Sequence, residues 1–135
     1  MRVVFDTNVM VSALLFERST PAQAFFGALR QEEILISAPL ALEIHRVLYR
    51  KKFDHYLTNE QRESFLIAFV QSTTLIEISQ TVDICRDPKD NMLLELSLSG
   101  QADAIVTGDS DLLVLNPFKQ IVILQPKDFI KTYLS

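Results

Sequence analysis

At 135 residues, with 48% hydrophobic and 22% charged residues and a formal net charge of −4, the chain has the makeup of one globular domain, residues 1–135, long enough to bury a core. A single cysteine, Cys85, excludes an intrachain disulfide and points to a reducing compartment. The longest apolar runs, such as Phe65 to Val70, are far too short to span a bilayer, and Arg2 and Asp6 break up the N-terminus where a secretory signal would need a clean apolar stretch, so a cytoplasmic protein with no membrane partner is expected.

In chain order, Val3-Val4-Phe5 reads as a first strand, stopped dead by Asp6. Pro21 to Arg30 reads as a helix behind a Ser19-Thr20 cap, and Ile34-Leu35-Ile36 as the second strand. Pro39 suits the first turn of a helix on which Leu40, Ile44, Val47 and Leu48 recur at helical spacing. Thr58-Asn59-Glu60-Gln61 introduces another helix through Phe65 to Val70, and Leu75 to Ile78 reads as the third strand. Asp87-Pro88-Lys89-Asp90 opens a helix that Gly100 closes. Ala104 to Thr107 and Ile121 to Leu124 complete the strands, and a last helix follows Pro126.

Most of these strands are continuously apolar instead of alternating. Strands buried on both faces look like this, so the pattern implies a parallel sheet covered by helices. The predicted order, β-α-β-α-α-β-α-β-α-β-α, is that of a doubly wound α/β domain. Its cleft is expected beyond the carboxyl ends of the strands, where strand order reverses. Glycine occurs only at Gly27, Gly100 and Gly108, so there is no glycine-rich phosphate loop and no nucleotide cofactor is expected.

Acids stand at those strand ends. Asp6 follows the first strand and Asp109 follows the fourth. If those strands are neighbours, the two carboxylates lie about 5 Å apart and repel unless a cation separates them. Glu43 borders the apolar face of its helix, with Arg46 and Arg50 on the same flank and Lys51 and Lys52 beyond. Each acid also has a plain structural role available. Asp6, Asp109 or Asp111 can cap a helix, Asp87 and Asp90 complete a helix-start signature, and Glu43 alone would be a solvated helix residue. The combination speaks for chemistry, because separate segments place acids where this fold would converge them. Bound cations would then reverse the local sign of an acidic protein.

Together these pieces resemble the PIN-domain ribonuclease family, and more closely the toxin components of prokaryotic toxin–antitoxin systems. The matching segments are Val4-Phe5-Asp6-Thr7-Asn8-Val9 with Ser12, the helix Glu43 to Leu48, Asp87-Pro88-Lys89-Asp90-Asn91, and Thr107-Gly108-Asp109-Ser110-Asp111-Leu112-Leu113. The resemblance implies a three-layer α/β/α domain around a central, mainly parallel five-stranded sheet. It carries the family's catalytic, metal-holding acids onto Asp6, Glu43, Asp90 and Asp109, and the supporting positions onto Asn8, Asp87, Thr107 and Asp111. It further implies cleavage of single-stranded RNA leaving a 5′-phosphate, homodimers, and a cognate antitoxin protein that occludes the cleft.

An all-oxygen carboxylate set suits one or two Mg²⁺ or Mn²⁺ ions, which points to metal-assisted hydrolysis of an RNA phosphodiester. Arg46, Arg50, Lys51 and Lys52 are candidates for RNA-backbone contacts, against the alternative of a solvated basic face. Neither His45 nor His55 is expected to be catalytic. Two other readings stand beside this one. A phosphatase would use Asp6 as nucleophile, although such enzymes usually place a second aspartate where this chain has Asn8. A non-catalytic domain would bind RNA or protein without cutting.

Overall fold

Strand order is β3-β2-β1-β4-β5 in the computed structural model, which describes residues 1–135, and every pairing is parallel. The strands are β1 (Arg2–Phe5), β2 (Glu33–Ile36), β3 (Thr74–Leu75), β4 (Ala104–Val106) and β5 (Val122–Leu124). The helices are α1 (Thr7–Leu15), α2 (Thr20–Gln31), α3 (Ala38–Leu48), α4 (Asn59–Ser72), α5 (Pro88–Ser99), α6 (Ser110–Leu113) and α7 (Pro126–Tyr133), with a 3₁₀ turn at Lys51–Phe53. Successive residues of a strand face opposite ways, and Val3, Val4 and Phe5 are all fully buried, so both faces of β1 are covered. On one face Phe5 meets Phe25 of α2 and Phe129 of α7 edge-on, at ring separations of 5.3 and 5.8 Å. Truncating Phe5 to alanine would cost about 3–5 kcal/mol. No helix is long and apolar enough to cross a membrane.

Two elements differ from the sequence expectation. The stretch after Asp6 forms a separate helix, α1, so two helices join β1 to β2 instead of one. Its residues Val9, Met10, Val11 and Ala13 are all buried, and a helix apolar on several sides carries no 3.6-residue stripe to read. The third strand spans Thr74–Leu75 and not Leu75 to Ile78. The chain then runs without helix or strand to Asp87, because side chains of α5 take up its backbone donors. Ser99 Oγ accepts from Ser79 and Gln80, Glu95 from Val82, and Asn91 Oδ1 from Ile84 and Cys85. Those donors are satisfied without a neighbouring strand.

The pairing that matters for function is β1 with β4, in the register Phe5↔Val106. From β1 the chain crosses to β2 on one side, whereas β4 and β5 lie on the other. The reversal of strand order therefore falls between β1 and β4, and a crevice opens at their carboxyl ends.

Candidate active site

Asp6 leaves the end of β1 in extended geometry and caps α1. One carboxylate oxygen accepts the Asn8 N–H at 2.9 Å, and the other accepts the Thr107 hydroxyl at 2.6 Å. Its own N–H extends the β1–β4 ladder by donating to the Val106 carbonyl at 3.0 Å. Thr107 Oγ1 also accepts the Asp109 N–H at 3.0 Å. One fully buried threonine thus positions the acids that follow β1 and β4. Asp109 in turn caps α6 through the Asp111 N–H, and Asp87 caps α5 through the Lys89 N–H. Helix capping and site building coincide here. A helix beginning at a strand's carboxyl end calls for an acceptor at its first residue, and an aspartate there still presents charge to the crevice.

The crevice is a cavity of about 170 Å³ that brings Asp6, Asn8, Glu43, Asp87, Asp90 and Asp109 to one lining. Two of its acids, Asp90 and Asp109, group with Asp111 beside the crevice, one oxygen from each mutually within 4.8 Å. Asp6 and Glu43 line the same crevice outside that group. Glu43 is engaged instead by cations: Arg46 Nη2 donates to both of its oxygens at 2.8 and 2.7 Å, and Lys89 Nζ lies 3.5 Å away. Asp111, half-exposed, receives Arg86 Nη2 at 3.0 and 3.2 Å.

Asp90 sits at the third position of α5, 6% exposed. Burial first, then the charges of Asp109, Asp87, Asp6 and Asp111, push its carboxyl up to about 6. The Cys85 thiol beside it is pushed up as well, by burial and then by Asp90, Asp111, Asp109 and Asp87. The crevice is therefore a place of concentrated negative potential that favours bound protons or cations. No histidine or cysteine lines it. An all-oxygen donor set where burial and like charges raise one carboxyl fits a hard divalent cation.

Of the basic candidates, Arg50 lines the crevice and Arg46 reaches it only through Glu43. Lys51 and Lys52 stand on the 3₁₀ turn, with Lys52 Nζ 5.1 Å from the Phe53 ring centre. His45 stacks on Tyr49 at the exposed side of α3, and His55 is exposed on the following loop. Residues the sequence reading passed over also reach the site. Lys89 and Arg86 face Glu43 and Asp111. A wider, open cavity of about 650 Å³ shares Asp6, Asn8 and Asp109 with the crevice and adds Ser12, Thr20 and Lys127. Lys127 follows the carboxyl end of β5, so the rule that singled out Asp6 and Asp109 applied to it as well.

Known proteins share the sequence pattern and the fold. The sequence profile of the PIN domain family matches residues 2–111. This chain belongs to the PIN domain family. The same span takes in Asp6, Glu43, Asp90 and Asp109. The PIN domain is also 30% identical over 143 aligned positions to the uncharacterized protein MJ1680 of Methanocaldococcus jannaschii, covering 98% of this chain and 92% of that one. In fold it is similar to a chain in the crystal structure of VapBC2 from Rickettsia felis bound to a DNA fragment from their promoter. The TM-score is 0.62 at 15% identity, with 91% of this chain and 97% of that chain covered.

Proposed function

We propose that this PIN domain, acting as one domain in the cytoplasm, is a metal-dependent endoribonuclease that hydrolyses single-stranded RNA, and that it is the toxin of a toxin–antitoxin pair. The observation that carries the reading is the convergence of carboxylates at the β1–β4 crevice, where burial and then their mutual repulsion lift Asp90 to about 6. Asp6, Asp90 and Asp109, with Glu43 on the opposite wall, are the residues that would hold Mg²⁺ or Mn²⁺. A divalent cation bound there supplies the positive charge that lets water attack a phosphodiester at neutral pH and that offsets charge on the departing oxygen. The protein's own part is to hold the acids in place. Thr107 fixes Asp6 and Asp109 relative to each other, and Asp87 anchors the start of the helix that carries Asp90.

The phosphatase reading fares worse on the same geometry. Asn8, where such enzymes usually carry a second aspartate, lines the crevice beside Asp6. The toxin role rests on the sequence resemblance and on the fold likeness to VapBC2, and a cognate antitoxin is its corollary.

The test is a cleavage assay with defined single-stranded RNAs in Mn²⁺ and in EDTA, with duplex RNA and DNA of the same sequence as controls. Cutting of the single strand that stops in EDTA supports the reading. RNA bound but left intact in Mn²⁺ would make the non-catalytic alternative the better one. Growth arrest on expression, relieved by a protein encoded beside it, tests the toxin role.

A further inference from the structure

A second groove, of about 360 Å³, runs from the acid crevice between α1 and the segment that follows α3. Asn8, Val47 and Arg50 line both, so the two are continuous. Its far wall is aromatic. Phe16, at the end of α1, is 52% exposed, and Tyr56 is 58% exposed. The two rings meet edge-on at 6.1 Å, with Phe53 beside them. Exposed apolar side chains in contact, unlike single ones, mark an interaction surface. Arg50 and Lys52 also line the groove, so its charge is positive although the crevice it joins is negative.

The turn that carries Phe53 is held in place. The buried Arg62 of α4 donates to the Leu48 carbonyl at 2.6 Å and to Asp54 at 2.9 Å, bracketing the 3₁₀ turn that carries Lys52 and Phe53. A pair of exposed rings in contact, flanked by two cations and opening onto the acid crevice, matches the chemistry of an unpaired nucleotide. The rings offer stacking to any base, and the cations offer contacts to the adjoining phosphates.

We infer that the Phe16–Phe53–Tyr56 groove, with Arg50 and Lys52, is a subsite that stacks an unpaired nucleobase next to the scissile phosphate and so restricts the enzyme to single-stranded RNA. The inference rests on the nuclease reading of the crevice but assigns a different surface. A base can enter the groove only when it is free of its partner strand, which is how this surface separates single from double strands.

Two measurements separate this subsite from the catalytic reading. The first needs no catalysis. An oligouridylate carrying one photoreactive uridine is irradiated with the wild-type protein in EDTA, and the attachment site is mapped by mass spectrometry. Attachment at Phe16, Phe53 or Tyr56, competed by single-stranded but not by duplex RNA, is expected. Attachment elsewhere, or equal competition by duplex, overturns the inference. The second is steady-state cleavage in Mn²⁺. Tyr56→Ala and Phe16→Ala each raise KM for the single strand roughly tenfold, as loss of one base stack implies, with a much smaller change in kcat. Tyr56→Phe keeps the wild-type KM, and Leu75→Ala, a truncation of a still more exposed apolar side chain at the sheet edge, is the control. An unchanged KM in both alanine variants overturns the subsite and leaves the groove to a protein segment. Wild-type protein that attaches RNA at Tyr56 yet never cuts it would sink the nuclease reading and spare the subsite.

Discussion

The hydroxyl of Thr107 donates a 2.6 Å hydrogen bond to the carboxylate of Asp6 while its oxygen accepts the Asp109 N–H. A side chain at the end of β4 thereby sets the distance between the acids that follow two adjacent strands. Thr107→Val keeps the shape and removes both bonds. A buried carboxylate oxygen and an N–H then lose their partner, at a cost of about 1–3 kcal/mol in unfolding free energy. We expect RNA cleavage to fall at least tenfold and Mn²⁺ binding to weaken, with Thr107→Ser close to wild type. Chemical denaturation and Mn²⁺ titration check both parts. A valine variant with full stability and activity would leave the Thr107 bridge without a role.

Asp6→Asn separates the cap from the charge. The asparagine oxygen can still accept the Asn8 N–H, so the variant should unfold within about 1 kcal/mol of wild type in EDTA. Metal-dependent cleavage should be lost. Removing one of the charges that raise Asp90 should also bring the Asp90 carboxyl down toward its ordinary value. A variant that unfolds early and still cuts RNA would reduce Asp6 to a cap.

The elevated Asp90 carboxyl predicts a pH dependence with a definite sign. In the unfolded chain the group ionises near 3.8, whereas in the fold it keeps its proton up to about 6. Between those values the folded state binds more protons, so the Asp90 contribution to stability falls as pH rises and is fully lost above about 6. The loss is about 2–3 kcal/mol at most. In metal-free buffer the unfolding free energy of Asp90→Asn should lack this component of the fall. Apparent Mn²⁺ affinity of the wild type should weaken below about pH 6, where the cation competes with a proton. A pH-independent Mn²⁺ affinity would contradict the placement of Asp90 at the metal.

Asp87 and Asp90 share one helix start but differ in role. Asp87 caps α5 through the Lys89 N–H, and asparagine caps about as well as aspartate. Asp87→Asn should therefore lose less than about 1 kcal/mol of stability and only part of its activity. Asp90→Asn should be inactive. Cleavage rates of the two variants measured side by side decide this, and the reverse ranking would move the catalytic role to Asp87.

Glu43 is held by Arg46 at 2.7 and 2.8 Å, and a cation at the crevice has to compete with that guanidinium. If Glu43 takes part in holding metal, Arg46→Ala should tighten Mn²⁺ binding a few-fold while weakening RNA binding. Isothermal titration with Mn²⁺ reads the first effect directly. Weaker Mn²⁺ binding in this variant would mean that Arg46 orders the site instead of competing for it.

Local rules carried the sequence reading a long way, because the signals are written in consecutive residues. Fully apolar triplets such as Val3-Val4-Phe5 belong to strands covered on both faces, and acids placed just after strands belong at the carboxyl-end crevice of a parallel sheet. Asp6 and Asp109 were legible for that reason, whereas Asp90 and the capping role of Asp87 were legible as a helix start. Helix α1 was not, since a segment buried on several sides shows no stripe, and the third strand stops at Leu75, with the chain from Ser79 onward bonded to α5 side chains. What tertiary structure alone decided is which charges meet. The meeting of Lys89 on Glu43, of Arg86 on Asp111, and of Thr107 on Asp6 depends on packing between elements far apart in sequence. So does the joining of Phe16 and Tyr56 into one aromatic wall beside the acids. Periodicity reports which face of a helix is buried, but only the crossing of one element over another determines what that face, or the residue at its rim, will touch.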